Sequence, residues 1–268
     1  MKAVRALVTG ATGGIGRSIC VALAEQARRD GAEIRIAAAA SRPGAALDSL
    51  VAELQAAGAA ASGVSADLTD PQACDELVQQ ARDFCGGLSL LVSNAGASAA
   101  GKLAELPVAQ WDATFSLNVR ATWLLARAAR PALTAEGGSI VAIASMSGLH
   151  PHPGYGAYSP AKAALAMLCR QLALEWAVDG IRVNAVCPGM IRTPLTEAVY
   201  RDEAVKVQRE ALVPLARIGR AEDVAGAVVY LASEAASYVT GQNLVVDGGV
   251  ADRMLALIPG RTARPGAG

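Results

Sequence analysis

Residues 145–162 read SMSGLHPHPGYGAYSPAK, and three of their side chains have the makings of a reaction centre: the Ser145 hydroxyl, the Tyr158 phenol and the Lys162 amine. Tyr158 and Lys162 are four positions apart, so a helix places them on one face. A free phenol titrates near about 10 and is a poor proton carrier at neutral pH. An adjacent ammonium favours the phenolate. Bringing the phenol to about 7 corresponds to about 4 kcal/mol of differential interaction. Ser145 would orient a substrate oxygen from the other side and stabilise negative charge developing on it. Tyr155 is a decoy, because the residue four beyond it is Ser159, which carries no charge. A tyrosine ahead of a helix can also be a packing residue with a wet hydroxyl. Pro160 fits only in a helix's first turn, so the helix should begin near Tyr158. His150 and His152 flank Pro151. They lack companions for a metal site, so no metal is expected, and their contacts are substrate or solvent.

A second group of residues suits a nucleotide. Residues 9–16 read TGATGGIG. Gly10, Gly14 and Gly16 give a tight turn that lets backbone approach a pyrophosphate at a helix N-terminus. Their spacing is wider than G-x-G-x-x-G. A ligand-free glycine turn is the alternative. The end of the second predicted strand reads AAAASRPGAA, with no acid between Glu33 and Asp48. An acid there would grip ribose hydroxyls and repel a 2′-phosphate. Ser41 and Arg42 instead offer phosphate contacts, so NADP(H) is the expected preference, with NAD(H) as the looser alternative. Asp67 can bond adenine or cap the next helix, as can Asp70 ahead of Pro71; we favour adenine for Asp67 and the cap for Asp70. Asn94, Ala95 and Gly96 would let backbone lie along the cofactor, or form a plain turn.

The elements that must hold these groups alternate. Short apolar runs at residues 3–9, 33–40, 60–66, 88–93, 139–144, 181–187 and 243–246 read as strands. Helical segments lie at 15–29, 45–57, 71–84, 158–178 and 221–233, and residues 108–131 hold one short and one long helix. The strands lack polar alternation, as in a parallel sheet covered on both faces. With right-handed crossovers the economical fold is α/β, a Rossmann-type doubly wound parallel sheet in a three-layer α/β/α sandwich. Residues 1–250 would form one nucleotide-binding catalytic domain with a small lid at about 190–215. Residues 251–268 would be a tail whose apolar patch at 254–258 either covers a neighbouring subunit or packs back on its own body, and whose last eight residues would be mobile.

Composition excludes several classes. Hydrophobic residues make up 53% of the 268-residue chain, aromatics 4%, and the net charge is zero, so nucleic acid is not an expected partner. The five cysteines are scattered and odd in number, and read as buried apolar residues rather than a disulfide frame. No segment reaches the roughly eighteen consecutive apolar residues of a membrane span, and the opening residues lack a signal-peptide core. The expectation is a cytoplasmic protein with no membrane partner.

Taken together, TGATGGIG, Asp67, the NAG of Asn94–Gly96, Asn118 in LNV, Ser145, YSPAK at 158–162 and the PG of Pro188 and Gly189 resemble the short-chain dehydrogenase/reductase family over residues 4–249. Ser145 lies thirteen residues before Tyr158, the family's spacing. The resemblance implies that Tyr158 is the general acid in reduction and base in oxidation. It implies that Lys162 lowers the tyrosine's pKa and holds the nicotinamide ribose, and that Asn118 holds a water linking Lys162 to solvent. Gly10, Thr12, Gly14 and Gly16 would shape the cofactor turn, and Ile15 would bring backbone near the pyrophosphate or nicotinamide. Asp67 and Leu68 would meet adenine, Asn94 the adenosine ribose, and Pro188, Gly189, Ile191 and Thr193 the nicotinamide side. The resemblance also implies a homotetramer, or a homodimer, built through the long helices that follow Asn118 and Tyr158.

The expected reaction is interconversion of a moderately apolar ketone and a secondary alcohol, with specificity set by loops at 97–107, 146–157 and 190–214. A 3-oxoacyl-[acyl-carrier-protein] reductase is one alternative, although GYGAY departs from the asparagine–tyrosine pairing common in such enzymes. A non-catalytic cofactor-sensing regulator is the other.

Overall fold

Ala6, Leu7 and Val8 are all fully buried, yet they face opposite ways. Leu7 joins one apolar cluster, and Ala6 and Val8 join the other. The same holds along the alanine run, where Ala37 and Ala39 pack on one side and Ala38 and Ala40 on the other. Burial on both faces explains why these strands lack polar alternation, and it overrides the weak strand propensity of alanine.

The computed structural model describes residues 3–98 and 100–254. In chain order, the first half contains β1 (Val4–Thr9), α1 (Gly14–Asp30), β2 (Ile34–Ala40), α2 (Ala45–Ala56), β3 (Ala60–Ser65), α3 (Pro71–Cys85) and β4 (Leu90–Ser93). Then come α4 (Val108–Phe115), α5 (Ala121–Glu136), β5 (Ser139–Ile143), α6 (Tyr158–Trp176), β6 (Arg182–Pro188), β7 (Ile191–Arg192), α7 (Glu197–Tyr200), α8 (Glu203–Glu210), β8 (Gly219–Arg220), α9 (Ala221–Ala232) and β9 (Asn243–Val246). The main sheet has seven strands in the order β3-β2-β1-β4-β5-β6-β9, every pair parallel. Apolar clusters cover both faces, giving the expected three-layer Rossmann-type sandwich. The order reverses between β1 and β4, and open α/β sheets bind ligands at the C-terminal ends of such a switch point.

Some boundaries differ from the sequence reading. The long helix does not stop at Pro131. It runs through the proline to Glu136 and ends on the left-handed Gly137. Packing of Leu124, Leu125, Ala129 and Leu133 into the core holds it across the break. Between α4 and α5 the chain does not turn out of the helix; Ser116–Arg120 form a π-helical turn. Residues 190–215, the segment given as a small lid, hold α7 and α8, and β7 within it pairs with β8 beyond it as a two-stranded parallel ribbon. Pro160 lies in the first turn of α6, as expected. Asp70 caps α3, its carboxylate accepting from Gln72 N at 2.9 Å. All five cysteines are buried and free. Among the described residues no helix is long and apolar enough to cross a membrane. Most of the tail, and all of its apolar patch beyond Met254, lies outside the described residues.

Candidate active site

A cavity of about 1000 Å³ opens along the C-terminal ends of the strands, at the upper end of the usual range for a ligand pocket. Its nucleotide end begins where β1 meets α1. Gly10 adopts φ +61°, and Gly13 N donates to its carbonyl at 3.1 Å. A Cβ on Gly16 would overlap that same carbonyl oxygen, and one on Gly10 would come within 2.9 Å of Asn94 Nδ2. A Cβ on Gly14 would strike Pro194 Cδ and Thr193 Cβ at 2.8 and 2.9 Å, so the segment after β7 leans on the glycine turn. No side chain caps α1, which leaves its first-turn amides for a ligand. An uncapped helix start, a glycine-rich backbone cradle and a long cavity fit a dinucleotide.

The turn is tied to β4 by two residues. The buried Thr9 hydroxyl accepts from Asn94 N at 3.0 Å and Ala95 N at 3.1 Å. Asn94 Nδ2 donates to the carbonyls of Thr9 and Gly10, both at 3.0 Å. The amide of Asn94 is therefore spent on shaping the turn. Sequence reasoning missed Thr9, since a polar residue ending an apolar strand was the only sign of it.

Thr12, Ile15, Ser41, Asp67, Leu68 and Ala95 line the cavity, as do Gly96, Pro188, Gly189, Ile191 and Thr193. Arg42 does not; it stands exposed in the loop beyond Ser41, without a hydrogen bond or ion pair among the described residues. Asp67 Oδ1 accepts from Thr69 Oγ1 at 2.7 Å and Thr69 N at 2.9 Å. These bonds hold its carboxyl below the usual value, so the edge of the cavity keeps a negative charge.

At the other end stand Ser145, Tyr158 and Lys162. β5 ends at Ile143 and delivers Ser145 to the mouth of the sheet, where its hydroxyl accepts from Ser147 N at 3.1 Å. Tyr158 opens α6, and Lys162 follows one turn later, with Nζ 5.7 Å from the tyrosine ring centroid. Lys162 is buried and donates to the Ile143 carbonyl at 2.7 Å. Burial pushes its pKa down to about 8. Burial holds Tyr158 above its ordinary value, a hydrogen bond shared with the Ser145 side chain works against that, and the nearby Tyr155 phenol adds to it. The ammonium is directed at a backbone carbonyl instead.

Asn118 sits behind this wall on the π-helical turn and does not line the cavity. Its Nδ2 donates to Ala97 O at 2.9 Å and Thr114 O at 3.0 Å. Its Oδ1 is buried without a partner. A Cβ on Gly96 would lie 2.7 Å from that oxygen and 3.3 Å from Lys162 Nζ, so the bare glycine is what allows the two groups to converge. Tyr155, the decoy, faces the same cavity and stacks on His152 with centroids 3.8 Å apart. His152 in turn meets the buried Ser147 hydroxyl at 3.2 Å. Burial, with Arg209 adding, pushes the His152 pKa down.

A family model described as "Enoyl-(Acyl carrier protein) reductase" matches residues 14–251. A relative from Oryctolagus cuniculus, "Dehydrogenase/reductase SDR family member 4", is 37% identical over 251 residues, covering 93% of this chain and 94% of the relative. "L-rhamnose 1-dehydrogenase (NAD(P)(+))" from Sphingomonas sp. (strain SKA58) is 37% identical over 246 residues, covering 91% and 94%. A solved 7 alpha-hydroxysteroid dehydrogenase, complexed with NADH and 7-oxo glycochenodeoxycholic acid, superposes with a TM-score of 0.84 at 31% identity, covering 92% of this chain and 93% of the other.

Proposed function

This chain belongs to the short-chain dehydrogenase/reductase family and is an NAD(P)-dependent oxidoreductase of CH–OH and C=O groups; we propose that Tyr158 is its acid/base and that it prefers NADP(H). The observation that carries this reading is the convergence of Ser145, Tyr158 and Lys162 on one wall of a cavity whose far end is a glycine-rich turn.

The bound nicotinamide supplies or accepts the hydride. The protein's residues manage the oxygen and the proton. Ser145 and Tyr158 hold the substrate oxygen between two hydroxyls, and charge developing on it is stabilised by donors already in place. In reduction the phenol gives its proton to that oxygen; in oxidation it takes the proton back. A phenol held high by burial is protonated at neutral pH, which suits the donor role. Lys162 supplies positive charge beside it, anchored by Ile143 O. The unpartnered Asn118 Oδ1 across Gly96 suits a water between the asparagine and the lysine, a route for replacing the proton.

Gly10, Gly14 and Gly16 would hold the pyrophosphate, with Thr12 and Ile15 contributing to the turn. Asp67 and Leu68 would meet adenine; Asn94, Ala95 and Gly96 would lie along the adenosine side; and Pro188, Gly189, Ile191 and Thr193 would flank the nicotinamide. Ser41 on the cavity edge and the unpaired Arg42 just beyond it suit a 2′-phosphate. We place residues 1–250 in one catalytic domain with its lid near 190–215. We assign a homotetramer, with a homodimer as the alternative: Trp123 on α5 and Met167 and Leu174 on α6, the helices such an interface would use, are 42%, 57% and 80% exposed. Five reduced thiols suit the cytoplasm.

The test is turnover of a ketone and alcohol panel with NADPH and NADH. Tyr158→Phe should lower kcat by about 10²–10⁴-fold. Full turnover in that variant refutes the assignment, and no turnover by the unmodified protein across the panel favours the non-catalytic alternative.

A further inference from the structure

The lid carries four basic side chains between Ile191 and Leu212: Arg192, Arg201, Lys206 and Arg209. Three of them meet glutamates. Arg192 pairs with Glu197 through two bonds of 2.8 and 2.9 Å, Arg201 lies 4.0 Å from the same carboxylate, and Lys206 reaches Glu203 at 3.0 Å. Arg209 meets none among the described residues. Its guanidinium carbon instead lies 5.7 Å from the ring centroid of the buried Tyr200, and the side chain lines the large cavity.

The surroundings sharpen this. Among the described residues the other basic side chains lining the cavity are Lys162, which belongs to the reacting end and is bonded to Ile143 O, and His152, whose pKa burial pushes down. Asp67, the only acidic lining residue among those described, belongs to the nucleotide end. Leu195, Val199, Tyr200 and Leu212 from the same segment also line the cavity, with Thr193, Thr196 and His152 as polar neighbours. The substrate side of the cavity thus has one fixed cation without a counter-ion. A half-buried guanidinium stacked on an aromatic ring is already ordered, and its remaining donor edge fits a planar two-oxygen acceptor.

We propose that Arg209 is a specificity-determining residue that receives a carboxylate on the substrate, remote from the reacting carbon, so that the substrates are oxo acids and hydroxy acids. A single guanidinium balances one negative charge, which favours a carboxylate over a phosphate dianion. The proposal rests on the reading of this cavity as the oxidoreductase site, and it deepens that reading by naming the substrate class.

The probes are a homologous series of methyl-ketone carboxylates of increasing chain length, each paired with its methyl ester. For each pair kcat/KM with NADPH gives an acid-to-ester ratio, and calorimetry gives the Kd of the matching hydroxy acid and hydroxy ester. At the best chain length the unmodified protein should favour the acid. Arg209→Gln should lower the ratio at least tenfold, about 1.4 kcal/mol, mainly through KM, and Arg209→Lys should restore part of it. A merely structural role for Arg209 on Tyr200 would weaken acid and ester alike and leave the ratio where it was. An acid no better than its ester at every length, or a ratio unchanged in Arg209→Gln, overturns the proposal while leaving the oxidoreductase reading intact. Arg209-dependent binding of the acids with no turnover of any ketone would support the anion site and sink the reading on which the substrate class rests.

Discussion

Lys162 Nζ donates to the carbonyl oxygen of Ile143 at 2.7 Å, linking the second turn of α6 to the last residue of β5. The bond fixes the ammonium beneath the reacting wall and explains how a lysine can be buried there at all: its charge is met by a backbone dipole rather than by a carboxylate.

That burial has a pH signature. Lys162 titrates at about 8 in the folded protein, against about 10.4 in an unfolded chain. Between those values the unfolded chain binds a proton that the folded one lacks, so this group's contribution to stability rises with pH across the window and is flat below it. Lys162→Met removes the titration. Measured by denaturant unfolding, the stability of the unmodified protein relative to Lys162→Met should improve by about 2.5 kcal/mol between pH 7 and pH 10. A constant difference would contradict the assignment.

Thr9→Val keeps the shape of the side chain but leaves Asn94 N and Ala95 N without their acceptor. One to two unsatisfied buried amides cost about 1–3 kcal/mol. Chemical denaturation should show a loss of that size, and the KM for the dinucleotide should rise because the segment beside it loses its anchor. An unchanged unfolding midpoint would mean the hydroxyl is idle.

Gly16→Ala places a methyl group into the Gly10 carbonyl and within 2.7 Å of Asn94 Nδ2. The obstacle is backbone, so the turn itself must shift. Dinucleotide binding, followed by quenching of tryptophan fluorescence, should weaken at least tenfold. Gly226→Ala is the control, because a Cβ there meets nothing within 4 Å and replaces a helix glycine with the better helix former.

Arg42→Ala tests cofactor choice. The ratio of kcat/KM for NADPH to that for NADH should fall about tenfold, the effect of losing about 1.4 kcal/mol from one phosphate contact. A ratio that stays put removes Arg42 from the cofactor site.

Much of this protein is legible in its residues. Glycines at turns, Asp70 ahead of a proline and Pro160 in a first turn are local signals, and local signals place element ends well. The seven-stranded sheet follows from two-sided burial, visible as strands without polar alternation. The departures are tertiary. Pro131 is carried inside α5 because the helix is clamped by its apolar stripe, which no local rule weighs. The π-helical turn at Asn118 shifts a hydrogen-bond pattern without leaving a mark in composition. The Lys162–Ile143 bond joins residues 19 apart, a pairing that spacing within the helix does not reveal. Arg209 looks like any helix arginine until its neighbours are seen to be paired and it is not.

Thr193 and Pro194 rest in the space left by the absent side chain of Gly14. A dinucleotide seated in the glycine turn would therefore meet the segment that leads on to Arg209. From that contact we expect dinucleotide to bind before the carbonyl compound, and product-inhibition patterns of random binding would refute it.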